Sequence, residues 1–158
     1  MRQNAAPIPS RPFAARREER TVTIRVVRDQ REPMLHEIHI GRNSLATDLS
    51  VEQGGEGSGP TPHDLYDAAL GACKALTVLW YAKRKNIPVE VIEVSVERDA
   101  SQERTGIYRL NTELTLTGPL SAAQRDELLH VARKCPVHKL MTEVTTEIST
   151  TLLADIGT

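Results

Sequence analysis

From residue 22 the chain alternates between apolar and polar positions: Val22, Ile24 and Val26 do so, then Ile38 and Ile40, then Leu45, Thr47, Leu49 and Val51. A period of two predicts strands with one buried face. Gly54 to Pro62, GGEGSGPTP, interrupts this pattern with residues that dictate turns and supply few ladder hydrogen bonds, so a surface loop is expected there. The period then changes. Thr61 is a predicted N-cap and Pro62 a first-turn residue, where the missing N–H costs nothing. Lys83, Arg84 and Lys85 suit the negative end of the helix dipole, and Asn86 and Pro88 stop the helix. Apolar residues almost surround this segment of about 24 residues, roughly 36 Å long at 1.5 Å per residue, which predicts a central helix.

Alternation returns at Ile92, Val94 and Val96 and again at Tyr108, Leu110, Thr112, Leu114 and Leu116, with a polar turn through Ser101 to Gly106 between them. A hairpin is predicted. Ser121 and Gln124 form a capping box opening a second helix, with Leu128, Leu129 and Ala132 on its buried stripe and an end near Lys134. Pro136 starts a short third helix, PVHKLM, and Val144, Thr146, Ile148, Thr150 and Leu152 alternate as a closing strand. This order predicts an α+β domain. So apolar a helix is more than one core of this size needs, which points to a homodimer sharing it.

Composition narrows the function classes. At 158 residues the chain suits one domain, expected over residues 21–158, preceded by a flexible arm at residues 1–20, MRQNAAPIPSRPFAARREER, which has no periodic apolar face. A formal net charge of −1 with 26% charged residues gives no footprint for nucleic acid or a membrane surface. No apolar run approaches the roughly 20 residues of a bilayer span, and no secretory signal is evident, so a soluble cytoplasmic protein is expected. In that setting the two cysteines, Cys73 and Cys135, are not expected to form a structural disulfide.

On a helical wheel Cys73 shares its side with Tyr66, Ala69, Leu70, Leu76, Thr77 and Trp80, so it reads equally as core packing or as a thiol in an apolar setting. Cys135, directly before Pro136 in KCPVHKLM, caps a helix N-terminus, where backbone N–H groups and the dipole favour a thiolate. His138 can reach the same turn, or stand as a solvated surface residue, as can Lys134. Two such thiols fit a redox pair, in which a sulfenic acid on one is captured by the other as a reversible disulfide. A zinc site of Cys73, Cys135, His63 and His138 is the weaker reading, because the paired C-x-x-C spacing is missing. No G-x-S-x-G elbow, phosphate loop or dinucleotide fingerprint is present.

The loop GGEGSGPTP, the helix PHDLYDAALGAC, the following YAKRKNIPVEVIEVSVE and the late KCPVHKLM together resemble the OsmC/Ohr superfamily of osmotically inducible and organic hydroperoxide resistance proteins, over about residues 21–153. The resemblance implies curved antiparallel sheets around a long central helix, an intertwined homodimer and active sites at its interface. It implies reduction of organic hydroperoxides in oxidative-stress defence, with the residue matching Cys73 attacking the distal peroxide oxygen and that matching Cys135 resolving the sulfenic acid. No metal, flavin or other cofactor is implied, and an external dithiol or lipoylated protein reduces the disulfide. In the better-known members an arginine activates the attacking thiol and is held by a glutamate directly after the proline. Here His63 stands at that position, and Arg42 in HIGRNSL is the first choice for the arginine, with Arg25 and Arg28 behind it. Tyr66, Leu70 and Trp80 are the expected lining of an apolar substrate pocket. The departure at His63 motivates a second reading, a non-catalytic relative that binds a hydrophobic small molecule or acts as a redox sensor.

Overall fold

The computed structural model describes residues 22–153, so the arm expected at residues 1–20 lies outside the described residues. Strands β1 (Ile24–Arg28), β2 (His36–Ile40) and β3 (Asn43–Thr47) form an antiparallel meander in which Val26 faces Ile38 and Ile38 faces Leu45. The alternation expected to continue through Leu49 and Val51 ends at Thr47, and Val51 instead enters a single 3-10 turn with its side chain 70% exposed. Asp48 is the reason. Its buried carboxylate accepts N–H bonds from Leu49, Glu56 and Ser58 at 2.8, 3.0 and 3.1 Å, winding the glycine-rich loop around itself where a strand would have extended. Burial pushes the Asp48 pKa up, but the combined backbone donors outweigh it and hold the carboxyl below its ordinary value.

Helix α1 (Pro62–Lys85) has the expected limits. The Thr61 hydroxyl accepts the Asp64 N–H at 3.2 Å, and the Asp64 carboxylate accepts the Thr61 N–H at 2.9 Å. At the other end Asn86 adopts the left-handed conformation, φ 53°, and returns its N–H to the carbonyls of Ala82 and Lys83. Strands β4 (Val91–Asp99) and β5 (Arg109–Thr117) form the expected hairpin, Val94 facing Leu114. α1 lies across one face of this hairpin, and a Cβ on Gly71 would stand 3.0 Å from a methyl of Val96, so a side chain there would push helix and strand apart.

Helix α2 (Ala122–Ala132) opens on the Ser121–Gln124 capping box and packs beside α1. Val78, Ala82, Ile87, Leu128 and Ala132 form the buried core, closed by Ile92, Leu114 and Leu116 from the hairpin. Leu129, expected on the buried stripe, is 41% exposed, because Leu128 and Ala132 take the inward i, i+4 positions and the next residue is turned a further 100°. Helix α3 (Pro136–Thr142) follows, and then the expected closing strand does not form: residues 144–153 carry no regular structure, with Ile148 and Leu152 exposed. Among the described residues neither sheet takes this segment up, and an extended segment without a neighbour leaves its ladder groups to water. The domain is α+β, with a long helix and antiparallel sheets as expected, although among the described residues α1 is covered on one side only. Leu76 and Trp80 face solvent. Among the described residues no helix is long and apolar enough to cross a membrane.

Candidate active site

Tyr66, Leu70, Cys73 and Thr77 recur at three- and four-residue spacing, which places them along one edge of α1, and α3 lies against that helix. Cys135 is the N-cap of α3, and its Sγ accepts the His138 N–H at 3.4 Å. The preceding N–H, that of Val137, donates to Sγ of Cys73 at 3.4 Å. A single first turn thus serves both sulfurs and brings together two free thiols that are far apart in the chain. The Thr77 hydroxyl stands 4.0 Å from the Cys73 sulfur. Cys73 is half-buried, whereas Cys135 has no exposed surface.

That difference corrects the expectation of an activated thiolate at Cys135. Burial pushes its pKa up, and the hydrogen bonding and charge of the adjacent Cys73 push the same way, against the His138 N–H and the positive charge of Lys74. The helix-cap geometry is as expected, but desolvation dominates it. Lys74 itself is 6% exposed, and its Nζ donates to the Ala132 carbonyl at the end of α2 at 3.2 Å.

None of the arginines singled out from the sequence bonds to either sulfur in this chain. Arg42 is exposed in the turn between β2 and β3, and Arg25 and Arg28 are exposed on β1, the latter reaching the Pro33 carbonyl at 3.4 Å. A different arginine organises the start of α1. Arg98 on β4 donates Nε to Asp67 and a terminal nitrogen to Asp64, each at 2.5 Å, and the Tyr108 hydroxyl donates to Asp67 at 2.9 Å. The Thr61 hydroxyl and then Arg98 hold the Asp64 carboxyl down to about 2, while burial and the Asp67 bond push Tyr108 up to about 12. His63 pairs with Glu103 across 3.0 Å, its ring 6.1 Å from that of Tyr108.

A cleft of about 410 Å³ is lined by Tyr66 and Leu70 from the edge of α1 that carries Cys73, by Tyr108 and Leu110 from the hairpin, and by His138 and Met141 from α3. Two of the three expected lining residues are there. Trp80 is not: it is 59% exposed and stacked under the Arg84 guanidinium at 4.8 Å. His63 is engaged by Glu103 and is not drawn to the cysteines, and among the described residues no three His, Cys, Asp or Glu side chains converge to hold a metal. The sequence reading passes over Lys74, Arg98 and Glu103. For Lys74 a signal existed, since it falls four residues from both Leu70 and Val78, inside the buried stripe.

The chain matches the family model described as OsmC-like protein over residues 55–150. No curated protein matches it. A putative osmotic stress induced and detoxification response protein from Psychrobacter arcticus is similar in structure, with a TM-score of 0.66 at 19% identity, covering 78% of this chain and 90% of that one. An OsmC-like protein from Mycoplasma pneumoniae gives 0.64 at 18%, covering 80% and 90%. The organic hydroperoxide resistance protein OhrB of Bacillus subtilis gives 0.53 at 22%, covering 78% and 91%.

Proposed function

Because this chain belongs to the OsmC-like protein family, we propose that it reduces organic hydroperoxides with the Cys73 and Cys135 thiols. The observation that carries this reading is the shared first turn of α3, which donates one N–H to each sulfur and holds the two side by side. Cys73, the half-buried thiol on the helix edge that also carries Tyr66 and Leu70, is the attacking group. Its thiolate displaces alkoxide from the distal peroxide oxygen, so that an S–O bond forms, the O–O bond breaks and sulfur is oxidised by two electrons. The alkoxide leaves with a proton as alcohol. Cys135 then attacks the Cys73 sulfur, an S–S bond forms and the oxygen departs as water. An external dithiol, free or lipoyl-bound, reduces the disulfide. Tyr66, Leu70 and Met141 suit the apolar body of a fatty or aromatic hydroperoxide. The name of the Bacillus subtilis neighbour, an organic hydroperoxide resistance protein, agrees with this substrate class.

Cumene hydroperoxide added to reduced protein is expected to remove both thiols of each chain and to leave an intramolecular disulfide, read by thiol titration and peptide mass mapping. Retention of both thiols would sink the peroxidase. The pairing of His63 with Glu103, where the resembled peroxidases hold an arginine, favours the second reading, a ligand-binding relative with slow redox cysteines. A rate no faster than that of free cysteine, with a hydrophobic compound co-purifying, would decide for it.

The functional unit we propose is a homodimer. Val22, Ile24 and Val26 on and beside β1, Leu76 and Trp80 on α1, and Ile148 and Leu152 in the tail are all more than half exposed, an apolar area that a monomer rarely leaves uncovered. Sedimentation at micromolar concentration is expected to give twice the chain mass of 17.5 kDa, and a monomer would remove this part of the reading.

A further inference from the structure

Lys74 is a buried cation without a matching anion. Its ammonium makes one hydrogen bond, to the Ala132 carbonyl, and among the described residues no carboxylate pairs with it. The carboxylates that face the neighbouring elements are committed elsewhere, Asp67 to Arg98 and Tyr108, and Glu127 to the Tyr81 hydroxyl. A buried ammonium left unpaired is strongly destabilising, and a lysine serving only to cap a helix C-terminus ordinarily extends its head into water. Its bonding partner Ala132 lies three residues before Cys135, and the positive charge of Lys74 acts on that thiol. The hairpin packs Ile92, Leu114 and Leu116 against the core, its charged Arg98 is taken up by Asp64 and Asp67 at the start of α1, and Cys73 and Lys74 on α1 and His138 on α3 are the groups that act on the Cys135 thiol.

We propose that Lys74 is the counter-ion that lets Cys135 ionise, and therefore a positioning residue for the step in which Cys135 closes the disulfide. This rests on the peroxidase reading for its biological meaning, though not for its test. In the reduced pair Cys135 keeps its proton, because burial and the neighbouring Cys73 both oppose a charge there. A neutral sulfenic acid on Cys73 removes the opposition that the Cys73 thiol offers to a charge on Cys135. Cys135 then loses its proton, and Lys74 supplies the buried positive charge for the resulting thiolate. The thiolate attacks the Cys73 sulfur, the S–S bond forms as the S–O bond breaks, and hydroxide takes up a proton as water. Slow ionisation at this point leaves the sulfenic acid waiting, exposed to a second peroxide and conversion to sulfinic acid.

The test has two arms. In a Cys73→Ser background, the titration midpoint of Cys135, followed by the carbon NMR shift of its Cβ, is expected to rise by about 1–3 pH units when Lys74 becomes Met. Lys74→Arg should restore most of the shift. In the two-cysteine protein, Lys74→Met should still form sulfenic acid, trapped with dimedone, while disulfide closure at neutral pH slows by about 10- to 1000-fold, following that shift. Sulfinic acid should accumulate in proportion. Thermal melts guard against a folding defect: replacing an unpaired buried charge by a methionine should leave Tm unchanged or raise it, and Lys74→Gln serves if the Met variant melts early. An unchanged Cys135 midpoint in the neutral variants, or an arginine variant no better than methionine, would overturn the proposal. If the parent protein forms no sulfenic acid at all, the peroxidase reading falls, and the first arm still decides the role of Lys74.

Discussion

Cys73→Ser protein mixed with cumene hydroperoxide is expected to leave the peroxide unconsumed, with Cys135 recovered as a free thiol when the protein is then unfolded and titrated. The serine is close in shape and keeps the Val137 N–H as a donor, so the fold has no reason to change. What it lacks is a nucleophile: a hydroxyl stays protonated at neutral pH, whereas a thiol near pKa 8.5 already supplies a few per cent of thiolate. The partner variant behaves differently. Cys135→Ser should complete one reaction with peroxide and stop as a sulfenic acid that dimedone traps, since no second sulfur remains to displace the oxygen. Peroxide assay and mass spectrometry separate the two outcomes. Equal consumption by Cys73→Ser and the parent protein would remove Cys73 as the attacking group, and an exchange of phenotypes between the two variants would reverse the assignment.

The largest effect on stability is expected from Leu128→Ala. Leu128 has no exposed surface and packs with Val78, Ala82 and Ala132 where α2 meets α1. Emptying such a site costs about 2–5 kcal/mol, the upper part of the range applying where the surroundings cannot collapse into the cavity. Each kcal/mol lowers Tm by about 2–4 °C in a domain of this size. Its neighbour supplies the control, because Leu129→Ala removes a side chain that is 41% exposed and should cost far less. Circular dichroism melts read both. Equal losses would mean that the buried face of α2 has been misassigned. The change reaches the site as well, for Ala132 accepts the Lys74 ammonium and Cys135 follows three residues later, so loosened α2 docking should also slow disulfide formation.

Much of this architecture is legible in local chemistry. Caps at Thr61 and Ser121, an interrupting Pro88 and a period-two hairpin specify α1, α2 and the β4–β5 pair because each signal acts within a few residues. Thr61 and Asp64 satisfy each other wherever the rest of the chain goes. The failures are non-local. Val144 to Leu152 carries a strand pattern, but a strand needs a neighbour, and the described residues offer none at that place. Leu49 and Val51 carry the same pattern and lose it to a carboxylate that gathers donors up to ten residues away.

The site divides in the same way. Cys135 as a helix cap follows from its place before Pro136, whereas its raised pKa depends on burial by elements elsewhere in the chain. Tyr66 and Leu70 reach the cleft because they share an edge of α1 with Cys73. Trp80 shares that edge too, but lies two turns beyond Cys73, away from the cleft. Arg98 was invisible, since nothing in β4 announces that its guanidinium meets two aspartates on α1.

Unequal access to the two sulfurs makes the protein selective toward covalent reagents. A bulky maleimide or an acrylamide fragment supplied from solvent meets only the half-buried thiol, while the sealed one stays unmodified as long as the fold is intact. Stoichiometric labelling therefore gives a single-site handle on Cys73 without any mutation, and a fluorophore placed there would report on whatever enters the neighbouring cleft.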